Sequence, residues 1–297
     1  MTSEDELKLL RRIYAKQVAH TARAITHAGC AEYSRIEEAL ASLRREDFLP
    51  PAPWRIACFP GGYQETPDDD PAYLYQDAPI ALLPEKRLNN GQPSFLAALI
   101  ALCRLKEGER AIHIGTGAGY YTAILCRLAG PSGRVVGVEL EPELAAMARI
   151  NLASFSNVAV VEGDGATIPM EPADVILVNA GAARPADIWL DALKPGGRMI
   201  APLTVSVTDD GGGALTKGAI FSIERPNDAN AEHFLARAIS QTFIYPCAGQ
   251  RDEASEKALA AAFAKGGARK VTRLYRTDDL PEERCWLRGA GWSLAYE

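Results

Sequence analysis

The chain has 297 residues, 47% of them hydrophobic and 24% charged, enough for one large core or one core with an appended piece. Acidic side chains outnumber basic ones by 38 to 32, and the net charge of −6 argues against a nucleic-acid backbone as the main partner. The acidic start Met1-Thr-Ser-Glu-Asp-Glu6 lacks the basic and apolar regions of a signal peptide, and the longest apolar run, Phe95 to Cys103, is too short for a membrane span.

Six cysteines are scattered without a C-x-x-C pair, and the four histidines have no metal-ligand spacing with them. A reduced, cytoplasmic protein without a structural metal is expected.

Residues 4 to 43 read as two helical segments broken near Ala28-Gly29, with Ile36, Ala39, Leu40 and Leu43 on one packed face. Pro50-Pro51 ends that helical part. Residues 52 to 87 are rich in proline, glycine and aspartate and predict ordered or semi-ordered loops, with a short edge strand between Tyr73 and Leu83. A helix is predicted from about Ser94 to Leu105, with Pro93 near its first turn.

From Arg110 the pattern alternates. Strands are predicted at Arg110–Ile114, Arg134–Glu139, Val158–Glu162, Asp174–Asn179 and Arg198–Val205, with helices at Tyr121–Leu128, Pro142–Ser154 and Ala186–Leu193. Such alternation implies a parallel sheet. Gly218–Glu224 and Leu235–Tyr245 then read as an antiparallel hairpin at the sheet edge, after a flexible turn at Asp209-Asp-Gly-Gly-Gly213. The last part is predicted to hold a helix (Asp252–Ala264), a basic strand (Lys270–Arg276) and an aromatic run ending at Tyr296. Trp286, Trp292 and Tyr296 need cover, from the core or from a second subunit in a homo-oligomer. The expected architecture is α/β, a doubly wound and mostly parallel sheet with an antiparallel edge hairpin, N-terminal helices and a C-terminal extension. The expected divisions are residues 1–93, a ligand-binding domain at 94–248, and an extension at 249–297.

The chain is organised around Arg110-Ala-Ile-His-Ile-Gly-Thr-Gly-Ala-Gly-Tyr-Tyr121. A strand, a turn with Gly115, Gly117 and Gly119, and a helix form the opening of a doubly wound sheet, where a ligand sits at the helix N-terminus. Glu139 ends the next strand twenty residues after Gly119, at the usual place for an acid that accepts both ribose hydroxyls. Tyr120 stands where a dinucleotide fingerprint has its third glycine, which disfavours a pyrophosphate. The pattern suits an adenosine ligand without one, and S-adenosylmethionine is the common example.

Glu162-Gly-Asp-Gly-Ala166 follows the third strand, and the Asp164 carboxylate there suits an adenine amino group, although an ordinary Asp-Gly turn has the same sequence. Together with Leu193-Lys-Pro-Gly-Gly197, these segments resemble class I S-adenosylmethionine-dependent methyltransferases. More narrowly they resemble the protein-L-isoaspartate O-methyltransferase family, through Arg45-Glu-Asp-Phe-Leu-Pro50, Tyr75-Gln-Asp-Ala-Pro79 and Asn90-Gly-Gln-Pro93. The last stands where the family has Ile-Ser-Gln-Pro.

The resemblance implies S-adenosylmethionine as cofactor and a protein, peptide or small-molecule methyl acceptor. It assigns Gly115, Thr116, Gly117 and Gly119 to the methionine end, Glu139 to the ribose, and Asp164 and Gly165 to the adenine. Asn179 would touch cofactor or substrate, and Asn90, Gly91 and Gln92 would border the methyl and the acceptor. Two departures stand out: the family's active-site serine is Gly91, and the acid two residues before the first glycine is His113. Methyl transfer is expected to survive, with activity on ordinary isoaspartyl peptides weak or absent. The competing readings are a nicotinamide dehydrogenase, a non-catalytic S-adenosylmethionine-binding protein and a methyltransferase with another acceptor.

Overall fold

A computed structural model describes residues 2–26, 32–58, 62–207, 216–228 and 230–297. Helices α1 (Glu4–Thr26) and α2 (Glu32–Ala41) come first. Strands β1 (Arg55–Cys58), β2 (Gly62–Glu65), β3 (Ala81–Leu83) and β4 (Leu88–Asn89) follow, then helix α3 (Pro93–Cys103). Strand β5 (Arg110–Ile114), helix α4 (Tyr120–Ala129), strand β6 (Arg134–Glu139), helix α5 (Pro142–Asn151) and strand β7 (Val158–Glu162) then alternate. They lead to β8 (Ala173–Val178), α6 (Asp187–Ala192) and the long β9 (Leu193–Ser206). Strands β10 (Thr216–Glu224) and β11 (His233–Ile244), helix α7 (Glu253–Lys265), and strands β12 (Arg273–Tyr275), β13 (Cys285–Gly289) and β14 (Trp292–Ala295) complete the chain. The fold is α/β and Rossmann-like. The break expected at Ala28-Gly29 and the turn at 209–213 lie outside the described residues.

The residues cluster into two compact units, one of Met1–Glu109 with Thr116–Gly163 and one of Arg110–Gly115 with Asp164–Glu297. In the first unit α1 buries Leu7, Tyr14, Ala15, Val18 and Ala22 as one helical stripe against α2 and α3. Ile36, Ala39, Leu40 and Leu43 are all buried, as their spacing predicts. The described part of the proline- and glycine-rich stretch is ordered: β1 and β2 pair antiparallel, β3 pairs with β4, and Trp54, Ile56, Leu74 and Ile80 form a small core of their own. Strands β6 and β7 pair in parallel, from Val135 opposite Val158 to Glu139 opposite Glu162.

In the second unit β5, β8 and β9 pair in parallel, and β9, β10 and β11 continue antiparallel. Strand β9 begins earlier than predicted. The Lys194-Pro-Gly-Gly197 segment reads as a turn, yet it runs on as an irregular strand because Gly196 donates to the Arg225 carbonyl at 2.9 Å and Arg225 donates back to Gly197. Beyond the β10–β11 hairpin the last strands extend the ladder. Leu274 of β12 pairs with Phe234, β14 pairs with β12, and β13 pairs with β14.

Helix α7 lies on β9 and β13 and brings Phe263 to the Trp286 ring, 5.3 Å between centroids and edge-on. Trp286 is 2% exposed, approaches Phe221 at 6.1 Å and donates its indole N–H to the Gly266 carbonyl at 2.8 Å. Trp292 is buried as well, so the chain itself covers both indoles, while Tyr296 is half-buried. Replacing Trp286 with alanine removes a full indole from this contact and is expected to cost about 3–5 kcal/mol. Denaturant unfolding of the purified variant reads that loss, and a midpoint equal to wild type would show the indole to be dispensable.

Candidate active site

The glycine turn is shaped by backbone conformation and by one carboxylate. Gly115, Gly117 and Gly119 have φ of +79°, +58° and +97°, all in the left-handed region where a side chain is strained. Helix α4 starts directly after Gly119, and Gly119 itself donates to the Thr116 carbonyl at 3.1 Å. Glu139 accepts from the Gly117 N–H at 2.6 Å through Oε2 and from the Glu141 N–H at 3.0 Å through Oε1. It is 7% exposed, and burial pushes its carboxyl above the ordinary range while the N–H groups of Glu141, Gly117 and Leu140 pull it back.

Thr116 is buried, and its hydroxyl would lie 2.5 Å from a Cβ on Gly137, so its side chain lies against β6. Tyr120 is core: its ring packs edge-on against Phe48 at 5.5 Å and Tyr121 at 5.2 Å. The residue that breaks the dinucleotide pattern therefore joins the Arg45–Pro50 element to the glycine turn.

Asn179 follows β8, donates its N–H to the Ile114 carbonyl at 2.8 Å and carries a backbone oxygen 3.1 Å from where a Cβ on Gly115 would stand. His113 is fully buried on β5 opposite Leu177, and burial pushes its pKa down to about 4, so it is neutral at physiological pH. Asp164 makes a tight local turn, its Oδ1 accepting from Ala166 at 2.8 Å and its carbonyl from Thr167 and Ile168 at 3.0 Å. Gly165 is pressed on Ile114, and its carbonyl accepts the Trp189 indole N–H at 2.7 Å.

The Asn90–Gln92 segment is held by groups that the spacing alone does not reveal. Asn90 donates its N–H to the Ile80 carbonyl at 3.0 Å and accepts the Ile80 N–H on Oδ1 at 2.8 Å. It is 9% exposed, and its Nδ2 is buried with no hydrogen-bond partner among the described residues. Gly91 has φ +74°, and its carbonyl accepts from the Tyr121 hydroxyl at 3.3 Å. Gln92 donates to Asp77 at 3.1 Å, and Asp77 also accepts the Ser94 N–H at 2.8 Å and the Ser94 hydroxyl at 2.7 Å.

Arg45 holds the carbonyls on either side of Asp77. It is fully buried, donates to the carbonyls of Leu74 at 2.5 Å and of Gln76 and Ala78 at 2.8 Å, and lies over the Tyr14 ring at 5.5 Å. Arg45 and Asp77 stand within the two N-terminal elements that resemble the family, but nothing in those elements' spacing marks one as a clamp on the other.

Comparison with known proteins identifies the family. The family described as Protein-L-isoaspartate(D-aspartate) O-methyltransferase matches residues 16–210. Over 206 residues the chain is 30% identical to the Protein-L-isoaspartate O-methyltransferase of Methanopyrus kandleri, covering 68% of this chain and 80% of that one. A shorter stretch of 115 residues is 43% identical to Protein-L-isoaspartate O-methyltransferase 1 of Archaeoglobus fulgidus, covering 37% of this chain and 53% of that one. In three dimensions the chain is similar to a solved protein-L-isoaspartate O-methyltransferase, with TM-score 0.61, 22% identity and coverage of 84% of this chain and 69% of the other, a likeness of fold. This chain belongs to the protein-L-isoaspartate(D-aspartate) O-methyltransferase family of S-adenosylmethionine-dependent enzymes.

Proposed function

We propose that the chain transfers a methyl group from S-adenosylmethionine to a carboxylate oxygen on an isoaspartyl-type acceptor of a protein or peptide. The observation that carries the cofactor assignment is the state of Glu139. Backbone N–H groups hold both of its oxygens, which fixes the carboxylate and leaves its remaining lone-pair capacity for the hydroxyls of a ribose. The side-chain-free turn of Gly115, Gly117 and Gly119 suits the methionine end, with Thr116 in the turn and Asn179 beside Gly115, while Asp164 and Gly165 suit the adenine. The cofactor supplies an activated methyl on a sulfonium.

The work left to the protein is positioning and exclusion of water. An ionised carboxylate acceptor needs no general base, so orientation supplies most of the acceleration. Asn90, Gly91 and Gln92 would border the acceptor. Gly91 brings no hydroxyl, and we assign the missing donor to the buried, unpartnered Nδ2 of Asn90. The same substitution favours a second reading, another carboxylate-bearing acceptor such as a small molecule or a peptide natural product. Cys58, Cys126, Cys247 and Cys285 are free thiols, which suits a reducing, cytoplasmic setting, and the proposed divisions are residues 1–93, 94–248 and 249–297.

Radiolabelled methyl transfer to an isoaspartyl peptide tests the acceptor. Measurable turnover is expected, with Asn90→Asp lower by on the order of 100-fold, because it keeps the bond to Ile80 and replaces the donor with a repelling charge. Turnover unchanged in Asn90→Asp removes Asn90 from the site, and labelling of other acceptors alone selects the second reading. A serine placed at Gly91 is a poor test, since it must adopt φ +74° with its Cβ 2.8 Å from Leu96 Cδ2.

The pH dependence of binding tests Glu139. Its raised pKa means that burial favours the protonated form, so the stability this group contributes is present at low pH and lost as pH rises through that pKa. Binding needs the opposite, ionised form. Affinity for S-adenosylhomocysteine should fall with acidification at a pH above the ordinary glutamate range, and Glu139→Gln should flatten that limb. Glu139→Ala should lose about 1–3 kcal/mol at neutral pH by calorimetry. Equal affinity in a folded variant would end the ribose assignment.

A further inference from the structure

After β11 the chain doubles back along the loop that follows β8. Gly181 donates to the Tyr245 carbonyl at 2.7 Å, Cys247 donates to the Gly181 carbonyl at 2.8 Å, and Ala183 donates to the Gln250 carbonyl at 2.8 Å. Arg251 fastens the far end, donating to the Gly181 carbonyl at 3.0 Å and to Glu256 of α7 at 2.6 Å. This strap lies outside the span matched by the family.

Its middle rests on Asp164. A Cβ built on Gly249 would fall 1.8 Å from Oδ2 and 2.3 Å from Oδ1 and Cγ, so an added methyl must displace the carboxylate or the strap. Gly249 does not have a left-handed φ, so the position of the carboxylate, and not backbone strain, is what a side chain there would disturb. Cys247 is 7% exposed, and burial together with the Asp164 charge pushes its thiol up to about 11. The carboxylate thus has Oδ1 on the Ala166 N–H, one flank under backbone and a thiol in its field.

We propose that the strap Cys247–Arg251 is the wall of the adenine end of the cofactor site, and that Gly249 is a positioning residue for Asp164. The inference rests on the reading of Asp164 given above. Backbone on the flank of the carboxylate keeps water from that side and leaves its oxygens aimed in one direction. A carboxylate so fixed accepts from the exocyclic amino group of adenine and repels the carbonyl oxygen that hypoxanthine carries in its place. The strap therefore makes the site selective for a 6-aminopurine.

The experiment measures affinity for S-adenosylhomocysteine and S-inosylhomocysteine by calorimetry, in wild type, Gly249→Ala, Asp164→Ala and the double variant, with melting temperatures recorded. Wild type should prefer the adenosyl compound at least tenfold. Gly249→Ala should lose most of that preference by weakening the adenosyl compound while leaving the inosyl compound nearly unchanged, and the double variant should lose no more than Asp164→Ala. Should Gly249→Ala fail to fold, Arg251→Gln releases the strap from Gly181 and Glu256 and should show the same loss. Retained preference in a folded strap variant, or additive losses in the double variant, overturns the proposal. A wild type that binds both compounds equally does so too, whereas a wild type that binds neither also removes the cofactor reading beneath it.

Discussion

A single buried guanidinium orders the approach to the candidate active site. Arg45 has no access to solvent, and a charge there persists only because three carbonyls and an aromatic face replace its water. Those carbonyls belong to residues 74, 76 and 78, alternate positions of which the last two flank Asp77 in the chain. Asp77 in turn holds Gln92 and both polar groups of Ser94 at the start of α3. Gly91 lies one residue before Gln92 and receives the Tyr121 hydroxyl from α4. Geometry at the segment next to the proposed acceptor is thus inherited, bond by bond, from a charge that never approaches it.

Glu139 shows the same economy in a different form. A carboxylate at 7% exposure is costly, and two backbone N–H groups from the elements flanking it offset the cost. One of those elements is the glycine turn. The acid and the turn stabilise each other before any ligand arrives, which is the preorganisation that binding requires.

The legible parts of the sequence were those whose signal is local. Strands β5, β6 and β7 are short β-branched runs bounded by glycine, proline or charge, and they begin and end at the residues where pattern places them. The spacing of Glu139 from Gly119 was readable because both belong to one strand–turn–helix–strand unit. Helix α5 stops at Asn151 rather than Ser154, because Ala153 and Phe155 turn their N–H groups back to Ile150 and Leu152 in tight turns. What escaped was contact across long separations. Arg45 acts on carbonyls 29 to 33 residues away, and Asp77 on Ser94 17 residues on. Gly249 meets Asp164 only after β8, β9, β10 and β11 have been laid down. No single helix or strand contains both partners of any of these contacts, so their chemistry exists only in the fold.

The left-handed backbone at Gly91 ties the effect of any substitution there to a neighbour. Leu96 Cδ2 lies 2.8 Å from where a β-carbon would stand, and the φ of +74° is one that L side chains rarely adopt. A side chain introduced at position 91 meets both conditions at once. The Leu96 methyl can rotate aside, whereas the backbone strain stays with any residue but glycine. Positions 91 and 96 are therefore coupled: the effect of changing one depends on what stands at the other, and paired substitutions there are non-additive.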